Sequence, residues 1–276
     1  VRHVQAGVEN LHASASRPAV INSRPPIPHT RRLSARPTIT GLPGDCRLRP
    51  SNHVAGARPV RMDRNAVRRA WDAVAETYAA RRDPDGSDAA LIDDLLDALA
   101  DDPVTGDGDP LVLDVGCGDG ARTLANLPPG SVGLDVSRRG LELAAETVPD
   151  ARLVHGEMSA LPFAADRFDA ITAYHAVFHV ERERHPAVYA EFARVLRPGG
   201  RLLMTLPSGR FETVRRGWMG GEMFFSAPGR ERTLDQLRAA GFADVETRTA
   251  TDPLGSSTEF AFATLAGEPD ETRTAP

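Results

Sequence analysis

Residues 111–120 read LVLDVGCGDG. The apolar run Leu111–Val115 has the length and composition of a buried strand, and it leads into glycines at positions 116, 118 and 120. Glycine at a strand's end adopts dihedrals closed to other residues and lets a ligand touch bare main chain. Two aspartates, Asp114 and Asp119, stand inside the same run. A turn shaped for phosphate gains nothing from carboxylates, whereas a turn that carries them suits a ligand with positive charge.

Outward from this turn the chain alternates between strand and helix. Upstream, Asp63 is placed to cap a helix whose Val67, Trp71, Val74 and Tyr78 recur at helical spacing. Ser87 is placed to cap a second helix with a stripe of Leu91, Leu95 and Leu99. Downstream, a short helix is expected after Gly120, then a strand near Val132–Val136 and a helix capped by Ser137 that runs to Thr147. Strands at Arg152–His155 and Asp169–Ala173 precede a helix from Pro186 to Leu196. RPGG ends that helix and opens a strand, Arg201–Leu206. Thr233–Ala240 reads as a helix ended by Gly241, and two last strands lie near Val245–Thr249 and Glu259–Thr264. The alternation predicts a Rossmann-like α/β fold, a doubly wound and mostly parallel seven-stranded sheet with helices on both faces. The link between the last two strands is too short for a crossover helix, so the last strand is expected to run antiparallel.

In such sheets ligands bind at the carboxyl ends of the strands, where strand order reverses. Asp135 ends the second strand about 20 residues after the glycine turn, an offset from which a carboxylate accepts both hydroxyls of a ribose. Glu157 follows the third strand, where a carboxylate can receive an adenine amino group. The pattern points to a nucleoside ligand, and two compete. NAD would set its pyrophosphate at the turn, where like unit charges about 4 Å apart repel by roughly 4 kcal/mol at an effective dielectric of about 20. S-adenosylmethionine has no phosphate and carries an ammonium and a sulfonium, which the acids favour.

At these residues the sequence resembles the class I S-adenosylmethionine-dependent methyltransferases, most of all the subgroup that includes ubiquinone/menaquinone-biosynthesis and other small-molecule enzymes. Four segments carry the resemblance: WDAVAETYAARRD, VLDVGCGDG, GEMSALPFAADRFDAI and EFARVLRPGGRLLM. It implies that Gly116, Cys117, Gly118 and Gly120 cradle the methionine part of S-adenosyl-L-methionine, with Asp114 helping to hold its ammonium. It also implies that Asp135 and Val136 hold the ribose, that Glu157 and the Met158 main chain hold the adenine, and that Tyr78 closes over the methionine end. Relatives more often have Asp where Glu157 stands, one methylene shorter. The implied activity is methyl transfer by in-line displacement to a small-molecule or lipid-like acceptor. A tRNA or protein acceptor is the alternative, followed by a non-catalytic cofactor-binding module or a NAD-dependent oxidoreductase.

Methyl transfer needs proximity and exclusion of water, and a base only where the acceptor holds its proton. The segment AYHAVFHV places Tyr174, a further cofactor contact, together with His175 and His179 at the crevice rim. The two histidines are four apart and would share one face of a helical turn. Each is a candidate base or a packing residue; no metal is expected, because no further ligands cluster with them. Cys117 is expected to be a small packed residue, since the transfer needs no covalent step. Residues 209–231 are read as a lid or acceptor segment, with apolar walls and the pair Arg215 and Arg216 suited to an anionic group. The competing reading is a helix that buries those aromatics.

The chain has 276 residues and a net charge of −5, with arginine as its only strong cation because lysine is absent. Ten arginines against Glu9 and Asp45 give residues 1–61 about +8, so Met62 onward carries about −13. The acidic body argues against a nucleic-acid partner and fits either solubility in concentrated salt or a codon bias towards arginine. Residues 1–61, rich in Pro, Arg and Ser, are expected to be a disordered or mis-assigned leader, ahead of a transferase domain at 62–266 and a tail at 267–276. Residues 62–108 would form its helical cap. Two cysteines, Cys46 and Cys117, and no secretory signal point to a cytoplasmic protein. No apolar run approaches the roughly 18 residues that cross a bilayer.

Overall fold

The computed structural model describes residues 62–81, 86, 89–100, 109–251 and 257–267. The chain divides into two units, Val1–Ala55 and Gly56–Pro276, and every described residue belongs to the second. The leader, Cys46, the expected Ser87 cap and the tail beyond residue 267 lie outside the described residues.

Helix α1 (Arg64–Arg81) starts where Asp63 Oδ1 accepts the Ala66 N–H at 2.8 Å. Helix α2 (Ala90–Ala100) buries Leu91, Ile92, Leu95 and Leu99, so the leucine stripe is its core face. There follow β1 (Val112–Val115), β2 (Val132–Asp135), α3 (Arg138–Thr147), β3 (Arg152–His155), β4 (Phe168–Ala173), α4 (His185–Val195) and β5 (Leu196–Leu206). Next come β6 (Arg210–Trp218), β7 (Gly221–Pro228), α5 (Arg230–Ala239), β8 (Phe242–Thr251) and β9 (Ser257–Leu265). Ser137 caps α3, its side chain accepting from the Gly140 N–H.

Seven strands form one sheet in the order β3-β2-β1-β4-β5-β9-β8. The first five are parallel, and β9 runs antiparallel to both β5 and β8. Side chains alternate between two cores. Leu202, Met204 and Leu206 of β5 join Tyr189, Phe192, Leu234 and Leu237 from α4 and α5, whereas Leu203 joins Leu91, Leu95, Leu99 and Phe260 on the other face. Successive strands step outward from β1 in one direction and then cross to β4 on its other side, so the order reverses between β1 and β4. That reversal opens the crevice.

Three expectations need correction. After Gly120 there is no α-helix, only a turn and a three-residue 3-10 helix, Leu124–Asn126. Pro128 and Pro129 follow so closely that no longer helix can form. RPGG lies within β5 rather than ahead of it: the β4–β5 register shifts between Phe168 and Ala170, Gly199 takes φ +77°, and Arg197 Nη1 pairs with Asp169 Oδ1 at 2.8 Å. Residues 209–231 form neither a long loop nor a helix across their aromatics. They hold the antiparallel hairpin β6–β7, turned by Met219 and Gly220, both with positive φ. Two left-handed residues are the geometry that matches strand twist in a tight hairpin. One face of the hairpin packs on α1, where Val74, Met223 and Phe225 are buried among Trp71, Phe178, Trp218 and Met219.

Candidate functional site

A cleft of about 1220 Å³, its open mouth included, is floored by the residues that follow β1, β2 and β4 and roofed by α1 and Phe224 of β7. Its floor is largely main chain. The Gly116 and Cys117 N–H groups both donate to Leu134 O, at 2.7 and 3.2 Å, which folds the turn back over β2. Asp135 fastens it: Oδ2 accepts the Gly118 N–H at 2.9 Å and Oδ1 the Ser137 N–H at 2.7 Å. Burial raises the Asp135 carboxyl above the usual aspartate range, and its main-chain hydrogen bonds oppose that rise. The glycines differ in purpose. A β-carbon at Gly116 would stand 2.5 Å from the Ala176 β-carbon, so Gly116 lets the two crevice loops touch. At Gly118 a β-carbon would meet nothing within 4 Å, so its absence leaves space in the cleft itself.

Of the residues singled out from sequence, Tyr78, Gly116, Cys117, Gly118, Asp135, Val136, Glu157, Met158, Tyr174, His175 and His179 all line the cleft. Asp114 and Gly120 do not. Asp114 is buried one layer back, accepting from Thr123 Oγ1 and, at 2.8 Å, from Thr172 Oγ1. Gly120 packs against Val148, Ala144 and Leu124. The Cys117 thiol is pushed well up, first by burial and then by Asp135 and Asp114, which keeps it protonated and inert. Arg215 and Arg216 point elsewhere. Arg215 lies 4.8 Å over the Phe225 ring, and Arg216 pairs with Glu222 in solvent. The cations that line the cleft are Arg64, Arg122 and Arg184.

The two histidines do not share a helical face. His175 takes φ +50° and donates its N–H to Thr205 Oγ1 at 2.8 Å. His179 lies in a 3-10 turn, with its ring 4.8–4.9 Å from those of Trp71, Phe178 and Phe225. Its Nδ1 stands 2.8 Å from Phe224 O; a carbonyl only accepts, so Nδ1 carries the proton. Burial lowers the His179 pKa to about 4, and the Phe224 carbonyl opposes that only in part.

Sequence reasoning missed how α1 is tied down. Asp72 Oδ1 accepts from Ser137 Oγ at 2.8 Å and from the Arg139 N–H at 3.3 Å, and Arg139 pairs with Glu76 at 2.6 Å. At the far end Arg64 Nη1 meets Glu157 Oε2 at 2.6 Å. Thr123, Trp71 and Glu181 also line the cleft without having been marked, and Phe224 lines it from the segment read as a lid or acceptor wall. Trp71 alone left a signal, seven residues before Tyr78 on one helical face. Among the described residues no cluster of three or more His, Cys, Asp or Glu forms a metal site.

Residues 112–200 match the family model described as a methyltransferase domain. A demethylmenaquinone methyltransferase of Clavibacter sepedonicus is 30% identical over 185 residues, covering 54% of this chain and 71% of that protein. A methyltransferase, GfsG, of Streptomyces halstedii is 43% identical over 101 residues, or 33% of this chain and 35% of that one. The chain spans only 35–45% of the length of the first such relatives. Among solved structures, the [4+2]-cyclase SpnF superposes with TM-score 0.55 at 20% identity, covering 76% of this chain and 98% of that one. The Burkholderia thailandensis 1,6-didemethyltoxoflavin-N1-methyltransferase, solved with S-adenosylhomocysteine, gives 0.54 at 20% identity, covering 78% and 98%. At that identity the superpositions speak for fold alone, and a cyclase among them shows that this fold hosts more than one chemistry. Sequence carries the assignment: this chain belongs to the class I S-adenosylmethionine-dependent methyltransferases.

Proposed function

We propose that the chain transfers a methyl group from S-adenosyl-L-methionine to a small-molecule acceptor, through a transferase unit at residues 62–266. One observation carries the choice of ligand. The glycine turn runs into a 3-10 turn, so no α-helix starts at the glycines to receive a dinucleotide's pyrophosphate, and Asp119 and Asp135 line the cleft there instead. The residues fit the cofactor. Gly118 offers space where a side chain would intrude, Asp135 presents a fixed carboxylate to a ribose, and Glu157 and Met158 line the cleft beyond β3.

When bound, the cofactor supplies a methyl group already activated by its sulfonium. The chain's own residues then hold, orient and dry the reactants. Asp135 and the turn fix the donor end of the cleft. Trp71 and Tyr78, held above by the Asp72 and Arg139 ties, cover it against water. No helix among the described residues is long and apolar enough to cross a membrane, and we place the protein in the cytoplasm. Titration calorimetry tests the donor: S-adenosylmethionine is expected to bind and NAD is not. Incubation of a cell extract with enzyme and deuteromethyl cofactor is expected to label a small metabolite. Label confined to tRNA or protein would refute the acceptor class.

A further inference from the structure

We infer that the protein holds a second binding site, outside the cleft, for a phosphoryl dianion. The site is a hollow of about 730 Å³, its open mouth included, lined by Arg182, Glu183, Arg210, Pro228, Arg232 and Gln236. None of these residues lines the cleft, so the inference does not depend on the methyltransferase reading.

The fold gathers the three arginines from distant stretches of chain. Arg210 opens β6 and stands opposite Pro228 at the base of the hairpin. Gly229 then turns the chain into α5 with φ +95°. A β-carbon there would stand 3.3 Å from the Arg210 N, so glycine lets the hairpin base lie against the start of the helix. Arg232 follows in the first turn of α5, and Gln236, four residues on, shares its face. Arg182 comes from the 3-10 turn Arg182–Arg184, which the hairpin holds in place. Its N–H donates to Ser226 Oγ at 3.0 Å, and its Nη1 pairs with Glu212 Oε2 at 3.2 Å.

Charge decides what the hollow takes. Arg182 is already matched, by Glu212 and, through Nε at 3.2 Å, by Glu183. Arg210 and Arg232 form no ion pair with any described residue. Arg232 also stands at the positive pole of α5, where a cation is disfavoured. The chain thus brings two guanidinium charges together and supplies a carboxylate for neither. A phosphomonoester carries about −1.5 to −2 at pH 7, which matches both. A carboxylate or a phosphodiester carries one charge and leaves a cation over. Guanidinium forks bind two oxygens at once, and a phosphoryl group offers three to forks that approach from different sides. Gln236 adds an amide whose Oε1 is buried without a donor. Because amide O and N exchange places on a half-turn, that side chain can offer an N–H to a phosphoryl oxygen.

The 3-10 turn is the wall between hollow and cleft: Arg182 and Glu183 line the one, Glu181 and Arg184 the other. A phosphoryl group held there belongs either to the tail of an acceptor that reaches over the turn or to a separate ligand.

The test uses the full chain in chloride buffer, with phenyl phosphate and inorganic phosphate as probes. Calorimetry is expected to show one equivalent of phenyl phosphate bound, with benzoate and dimethyl phosphate about tenfold weaker or more. Saturating S-adenosylhomocysteine is expected to leave that binding in place. Arg210→Gln and Arg232→Gln are each expected to weaken phenyl phosphate about tenfold, and the double variant to lose it. Both side chains are exposed, so the variants are expected to fold, with urea midpoints in chloride no lower than wild type and less gain on adding phosphate. Arg216→Gln, which breaks an exposed pair on the same hairpin, is expected to bind phenyl phosphate as wild type does. In the deuteromethyl incubation, a labelled product that phosphatase strips of charge, and whose labelling falls in Arg232→Gln, would give the phosphoryl group to the acceptor. Unchanged labelling in that variant would give it to a separate ligand. No binding of either phosphate, equal binding of benzoate, displacement by S-adenosylhomocysteine, or wild-type affinity in the double variant would each overturn the inference. Failure of S-adenosylmethionine to bind would strike only the methyltransferase reading, so the two failures are distinguishable.

Discussion

The floor of the cleft and its roof are built by different means. Across the floor, Asp135 accepts the N–H of Gly118, 17 residues before it, and the turn hangs on the main chain of β2. Across the roof, Trp71, Trp218 and Phe225 meet from segments far apart in the chain, joined by ring contacts at 5.5–5.6 Å. Main-chain hydrogen bonds fix a ligand's polar outline, whereas side-chain packing sets a shape that can be exchanged without disturbing that outline. On the proposed reading, the floor serves a constant donor and the roof a variable acceptor.

The comparison breaks first at Asp135. Asp135→Ala removes the carboxylate proposed for the ribose and leaves the half-buried Gly118 and buried Ser137 N–H groups without their acceptor, at about 1–3 kcal/mol each. Donor affinity is expected to fall about 100-fold or more by calorimetry. Gly118→Ala is expected to weaken the donor about tenfold while shifting stability by only about 1 kcal/mol, because its β-carbon enters open cleft. If both variants bind the donor normally, the floor is not its site.

The same contrast explains what could be read from sequence. Strands β1 to β4, the Leu206 end of β5 and the Ser137 cap follow from local pattern, and the structure contains them; the short offset from the glycine turn to Asp135 is spanned by the Gly118–Asp135 hydrogen bond. The hairpin was illegible because its signal is Met219–Gly220 at positive φ, and a methionine does not advertise a left-handed turn. The missing helix after Gly120 was readable in Pro128 and Pro129 but was outweighed by the expectation of alternation. The arginines of β6 were misassigned because a strand's period of two spreads them over both faces: Arg215 stands opposite Met223 and over the Phe225 ring, and Arg216 pairs with Glu222 in solvent.

A second variant sharpens the separation. Phe225→Ala empties part of the Val74–Met223–Phe225 cluster and is expected to cost about 3 kcal/mol in urea denaturation. Donor affinity is expected to stay within about twofold. Equal losses in stability and donor affinity would mean that floor and roof act as one body.

Acid acts on two buried histidines, His179 against Trp71 of the roof and His185 at the start of α4. Burial lowers His179 and His185 to about 4, below the usual histidine value of 6.5. As pH falls from 6.5 towards 4 the unfolded chain takes up these protons and the native chain does not. The stability tied to each neutral ring is therefore whole above pH 6.5 and lost through that window, on the order of 3 kcal/mol each. The raised Asp135 carboxyl works in the opposite direction, so the histidine share is isolated by variants. Urea midpoints are expected to drop between about pH 7 and pH 4.5, and less steeply in His179→Phe. An unchanged slope in that variant would place the His179 titration elsewhere.

The smallest effect belongs to a polar contact that joins α1 to Glu157, at the end of the floor proposed for the adenine. Arg64 and Glu157 meet at 2.6 Å with side chains 55% and 33% exposed, and pairs so wet contribute about 0–1 kcal/mol. Arg64→Ala is therefore expected to move the urea midpoint little. Its interest lies in binding, because Glu157 is the carboxylate proposed to receive an adenine amino group, and Arg64 already pairs with it. Freed of Arg64, Glu157 is expected to bind the donor a few-fold more tightly at low salt, an advantage that added salt erases as it screens the original pair. Glu157→Gln is expected to weaken the donor a few-fold at every salt concentration. If Arg64→Ala weakened the donor instead, Arg64 would be part of the floor rather than a competitor for it, and the boundary between floor and roof would move to include the first turn of α1.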